Sequence, residues 1–92
     1  MVRLTQVIYE QAEETYSLTD IYVNPGSVTY MVEDRKTLFA NAKKPLVEGL
    51  SRHHSFTKLI IDIGGKTEHI SVVGDLKEVA NKLKTKKELL RG

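Results

Sequence analysis

His53, His54 and His69 are the side chains of this sequence best suited to metal binding or proton transfer near neutral pH. Adjacent residues of an extended segment point to opposite sides, so His53 and His54 do not share one ion. His69 falls on the polar face of an expected strand, and Asp62 falls on the same face. A closed structural zinc site wants four ligands, and no such set assembles from these positions. The histidines are therefore read as solvent-exposed. Ser51 or Ser55 with His53 or His54 and Asp62 supplies the residue types of a nucleophilic site. No Gly-x-Ser-x-Gly elbow presents either serine, and nothing orients the base. Glu33 and Asp34, two neighbouring carboxylates at a strand end, read as a solvated turn. Gly64-Gly65-Lys66 lacks the first glycine, the hydroxyl residue and the following helix of a phosphate loop. No catalytic residue, cofactor contact or metal ligand is assigned.

Two other groups of residues could bind macromolecules. Lys77, Lys84, Lys87 and Arg91 follow one another at steps of seven, three and four, so they share one side of a terminal helix. Such a face can track phosphates, each neutralised charge releasing counterions. It also serves simply as a soluble outer face, and cations near a helix C-terminus suit its dipole. The simpler reading is preferred, because sheet-based nucleic-acid recognition wants aromatics interleaved with cations. Tyr22 is one such aromatic, but Tyr30 is expected to point inward beside Val28 and Val32. The second group is apolar. Leu38, Phe39, Leu46, Val47 and Leu50 place five large side chains in the segment 34–54, which is either packed down as core or exposed as a site for a protein partner or a second copy.

These residues need elements to hold them. A chain of 92 residues makes one domain, 1–92, with a thin core. Its apolar content of 40% beside 28% charged residues suits a folded chain and not a disordered one. It holds no cysteine, which excludes disulfides and thiolate chemistry and favours a reducing compartment. No apolar run reaches the roughly 20 residues of a membrane span, and "MVRLTQVIYE" has no leader pattern. A cytoplasmic protein is expected. The net charge of +2 is mild for a dedicated nucleic-acid binder.

Val2–Tyr9 reads as a first strand, Glu10–Ser17 as a loop, and Ile21–Val23 as a short strand. Asn24-Pro25-Gly26-Ser27 predicts a type II turn at a corner, with Gly26 at positive φ. Val28, Tyr30 and Val32 then share an inward face. The segment 34–54 is a long loop or helical insertion. It starts with a short helix capped by Asp34, with Leu38, Phe39 and Ala42 on one side. Pro45 disfavours helix at Lys44, and "PLVEG" suggests a further helical turn. Gly64-Gly65 between two β-rich runs predicts a two-residue hairpin pairing Ile63 with Lys66, Ile61 with Glu68, Leu59 with Ile70 and Thr57 with Val72. Its inward face is Leu59, Ile61, Ile63, Ile70 and Val72. Asp75 caps a helix over 75–89 with Glu78 three residues on, and Leu76, Val79, Ala80 and Leu83 form its stripe. The docked part is expected to end near Thr85, leaving a basic tail at 86–92. The expected class is α+β: a strongly bent antiparallel sheet or open barrel of about five strands with the C-terminal helix packed on it.

The stretches "RLT", "IYVNPGSVTYM", "FTKLIIDIGGK", "EHISVVGD" and "LKEVANKL" resemble the small FlbD-type (SwrD) flagellar proteins, and the chain is similar also to uncharacterised phage-encoded small proteins. Tyr22, Asn24, Pro25, Val28, Met31, Gly65, Lys66, Val79 and Leu83 stand in matching places. The chain departs from that pattern in Glu10–Ser17 and Arg35–His54. The resemblance covers roughly two thirds of the chain; it implies a small non-catalytic accessory or regulatory protein and transfers no catalytic residue, because the family offers none, and a flagellar role does not follow from it, since fold similarity alone does not carry function. The residues and the resemblance together lead to one expectation. The protein is a non-enzymatic binding module acting through a protein partner or self-association, with a nucleic-acid-binding small barrel as the alternative.

Overall fold

The computed structural model describes residues 1–84. They form β1 (Val2–Glu10), β2 (Thr15–Val23), a 3-10 turn (Pro25–Ser27), β3 (Val28–Glu33), α1 (Arg35–Lys43), β4 (Phe56–Ile63), β5 (Lys66–Val73) and α2 (Leu76–Leu83). The strands make one antiparallel sheet in the order β2-β1-β5-β4-β3. The α+β class and the five-stranded bent sheet with a C-terminal helix are as expected, and the sheet does not close into a barrel.

Gly64 and Gly65 take φ of 57° and 86°, as a type I′ turn demands. The β4–β5 register follows as predicted, from Ile63↔Lys66 to Thr57↔Val72. Leu59, Ile61 and Val72 on one face meet Leu4, Val23 and Val79, and together they are the core. Ile63 has the predicted parity, but at the hairpin end nothing covers it and it is 55% exposed.

The order of strands dictates the curvature. β2 and β3 are the two edges, yet only Asn24–Ser27 join them. Four inter-strand gaps of a flat sheet span about 19 Å, and the five steps from Val23 to Val28 reach about 17 Å only when fully extended. The connection is instead wound into a 3-10 turn, so the edges must bend toward each other. The bend cups α2, whose Val79 is buried in the cluster that Val28 and Met31 of β3 also touch.

The sheet has a weak seam. β1 pairs with β5 only at Gln6↔Val72 and Val7↔Ser71, whereas β1 and β2 pair over their whole length. The β1–β2 hairpin thus leaves the sheet beyond the seam, with Tyr9 and Tyr16 paired near its tip at a ring separation of 4.9 Å.

Several expectations need correction. β2 begins at Thr15 and not at Ile21, because β1 offers a continuous ladder to a polar stretch. Gly26 is not at positive φ, and the corner is a 3-10 turn in which the Asn24 side chain accepts from Gly26 N–H at 3.0 Å. A bulge between Val28 and Tyr30 shifts the alternation of β3. Val28 and Met31 therefore face the core, while Tyr30 and Val32 are exposed. The helix expected over 75–89 runs over Leu76–Leu83 with Lys84 extended, and residues 85–89 of that expectation lie outside the described residues. Its predicted cap is present: Asp75 accepts from Glu78 N–H at 2.7 Å. The tail 86–92 lies outside the described residues.

α1 is a helix as predicted, and Lys44 before Pro45 is extended, as proline requires of its predecessor. Its inward face is different. Phe39 and Ala42 are exposed, and the sides turned in are Asp34, Thr37, Leu38 and Asn41. "PLVEG" is not helical; it is a turn in which Leu50 N–H reaches Val47 C=O at 3.2 Å and Gly49 has φ 88°.

Candidate binding groove

The groove begins with Asp34. Its carboxylate accepts from Thr37 N–H at 3.1 Å and from Thr37 Oγ1 at 2.7 Å, which caps α1. Ser71 Oγ of β5 donates to the same carboxylate across the sheet. Asp34 N–H in turn donates to Phe56 C=O at 2.9 Å. Asp34 is buried, so the solvated turn expected at Glu33-Asp34 is not what forms. Burial by itself would raise its carboxyl. The hydrogen bonds from Ser71 and Thr37, with the Lys58 charge nearby, outweigh that and hold the carboxyl below the ordinary aspartate range. This arrangement clamps the start of α1 against the outer face of the sheet, opposite α2.

Asn41 holds the other end. It is fully buried, donates from Nδ2 to Ser51 C=O at 2.7 Å, and accepts from Leu46 N–H at 3.0 Å on Oδ1. One amide thus ties both ends of the loop after α1 to the helix. Leu46 and Val47 are set facing the hairpin tip.

Between the tip and α1 runs an open groove of two lobes, about 530 and 560 Å³, which share Tyr16 and Ala40. The polar lobe has Tyr9, Gln11 and Tyr16 on the hairpin side and Lys36 and Thr37 on the helix side, with Asp34, Lys58 and Ser71 also lining it. Lys58 and Ser71 are cross-strand partners, so their side chains leave the sheet together. Lys58 is half-buried; among the described residues it makes no ion pair, and the one ion pair joins exposed Arg35 and Glu33 at 3.6 Å. The second lobe is lined by Leu46, Val47 and Pro45 with Tyr16, and carries Glu14, Lys44 and Glu48.

Of the residues expected to bind a partner, Leu46 and Val47 line the groove. Leu38 and Leu50 are half-buried without lining it, and Phe39 stands 60% exposed on the far side of α1. Tyr9, Tyr16, Lys36, Lys58 and Asn41 were not singled out by the sequence. The available signal was the polar spacing Asp34, Thr37, Asn41, which repeats at helical intervals without being apolar.

His53, His54 and His69 are exposed and none lines the groove. Among the described residues no three His, Cys, Asp or Glu side chains come together to hold a metal ion. Among the described residues no histidine side chain hydrogen-bonds to Ser71 or Asp34, and a carboxylate held at depressed pKa is a weak base. Lys77 on α2 and Lys84 at its C-cap are exposed, while Lys87 and Arg91 lie outside the described residues. No helix among the described residues is long and apolar enough to cross a membrane. No protein-family model, curated protein or solved structure matches this chain.

Proposed function

We propose that this protein is a small non-enzymatic binding module that seats an extended segment of a protein partner in the groove between the β1–β2 hairpin tip and α1. One observation carries the reading: Asn41 pins the loop after α1, and between that loop, α1 and the hairpin tip lies an open groove lined by aromatic, aliphatic and cationic side chains. A pre-shaped groove with an apolar part and a few fixed polar groups is what segment binding uses. The resemblance to FlbD-type accessory proteins supports a non-catalytic role of the same kind. The test is selection from a displayed random nonapeptide library, followed by amide chemical-shift mapping of the enriched peptides. Shifts gathered at Tyr16, Ala40 and Val47 are expected. Enriched peptides that map elsewhere, or no enrichment, refute the groove.

A second reading, a nucleic-acid-binding module built on the open sheet and α2, is favoured by the β3 bulge. It turns Tyr30 outward at 54% exposure, while Tyr22, 65% exposed, pairs across the strands with Arg3. Aromatics beside cations suit stacked bases. Lys77 and Lys84 would add phosphate contacts. Retention on heparin that falls steeply with salt supports this reading, and passage through the column at low salt removes it.

A further inference from the structure

The two lobes of the groove differ in charge, and the difference identifies what the bound segment must carry. In the polar lobe Lys36 and Lys58 stand against Asp34 alone, a surplus of one positive charge. In the other lobe Glu14 and Glu48 stand against Lys44, a surplus of one negative charge. Asp34 cannot serve as the full counter-ion of Lys58. Its oxygens already accept three hydrogen bonds, from Thr37 N–H, Thr37 Oγ1 and Ser71 Oγ, and no nitrogen of Lys58 lies within ion-pair distance of it. Lys58 has its stem partly covered and its charge unpaired among the described residues, so it is free to meet an anion brought into the lobe.

We infer that the polar lobe is a carboxylate site: Lys58, assisted by Lys36, receives the side chain of an aspartate or glutamate from the bound partner segment. This rests on the groove reading above. The surplus is a single charge, which fits a carboxylate and not a doubly charged phosphate. The phenols of Tyr9 and Tyr16 and the Gln11 amide are neutral groups in the same lobe that can donate further hydrogen bonds to it. Beyond the shared Tyr16, Leu46 and Val47 receive an apolar residue of the same segment. The opposite charge of that lobe disfavours the reversed arrangement, so the site sets the direction of the segment as well as its composition.

The probe is a set of three nonapeptide libraries, random except for a central Glu, Gln or phosphoserine. With wild-type protein the Glu library is expected to bind about tenfold more tightly than the Gln library. Lys58→Met should erase that preference, and Lys58→Arg should preserve it. The preference should shrink as salt rises from roughly 0.05 to 0.5 M. Circular dichroism shows whether each variant is folded. Equal binding of the Glu and Gln libraries overturns the carboxylate site and leaves the groove standing, as does a preference for phosphoserine over Glu. No binding by any library overturns both.

Discussion

Asn41→Ala removes the one side chain that joins α1 to both ends of the loop behind it. The substitution leaves Leu46 N–H and Ser51 C=O without their partners, at 3.0 and 2.7 Å in the native protein. A polar group left unsatisfied in the interior costs about 1–3 kcal/mol. Both backbone groups are only partly buried and can recover some solvation, so the lower end applies to each and the total is about 2–3 kcal/mol. A chain of this length has a total stability of roughly 5–14 kcal/mol, so the loss is large but survivable. It should lower Tm by roughly 10–20 °C. Urea unfolding measures the free energy. Hydrogen exchange gives a second readout, because the Leu46 amide should lose its protection even under conditions where the core amides of β4 keep theirs. Binding by the groove should weaken with it, since Leu46 and Val47 lose their anchor. A loss below about 0.5 kcal/mol, or an unchanged Leu46 amide, would mean that the loop is held by something other than Asn41 and would refute the reasoning.

Three further outcomes follow from the same structure. The folded-state pKa of Asp34 is depressed, so its contribution to stability is complete above the unfolded value of about 3.9 and fades as pH falls through the lower folded value. The stability gap between wild type and Asp34→Asn, measured by urea unfolding, should therefore be widest near neutral pH and narrow on acidification below about 4; a gap that widens there contradicts the assignment. Gly74 has φ 123°, and an added Cβ would sit 3.3 Å from Val79 Cγ2, so Gly74→Ala should cost about 1–3 kcal/mol in thermal or urea unfolding. Tyr30→Ser should change stability by less than about 0.5 kcal/mol, because the bulge turns this side chain to solvent; a loss typical of a core aromatic, above about 3 kcal/mol, would restore the inward reading.

Parts of this architecture are written locally. Gly64-Gly65 between β-rich runs predicts the β4–β5 hairpin to the residue, and Asp75 with Leu76, Val79 and Leu83 predicts α2 and its buried side. The signals are strong there because a single turn geometry fixes the hairpin register and a single period fixes the helix stripe; burial departs from the strand period at Ile63, which is exposed, and at Ile60, which is buried on the opposite face. β2 was only partly legible. Its turn, Gln11–Glu14, contains no Gly, Asn or Pro, and Glu14 takes the left-handed φ of 53° without the usual residue type. β3 was misread by one position, since a bulge adds a residue that the period of two cannot register. The inner side of α1 was missed because Asp34, Thr37 and Asn41 are held there by hydrogen bonds and not by apolar burial.

The sequence by itself determined the class of the fold, the central hairpin, both helix caps and the bend at Pro25, because turn chemistry, capping and periodicity act over a few residues. Only the tertiary structure decided where a partner could sit. The groove draws on residues 7–16, 34–48, 58 and 71, which are distant in the chain. They meet because β1 joins β5 through only two residue pairs and Asp34 docks on Ser71, and neither pairing leaves a mark on local sequence. The pairing of Lys58 with Ser71 follows from the locally written hairpin, but the surplus charge on which the inferred carboxylate site depends arises only where Lys36 and Asp34 of the α1 region meet Lys58 of β4.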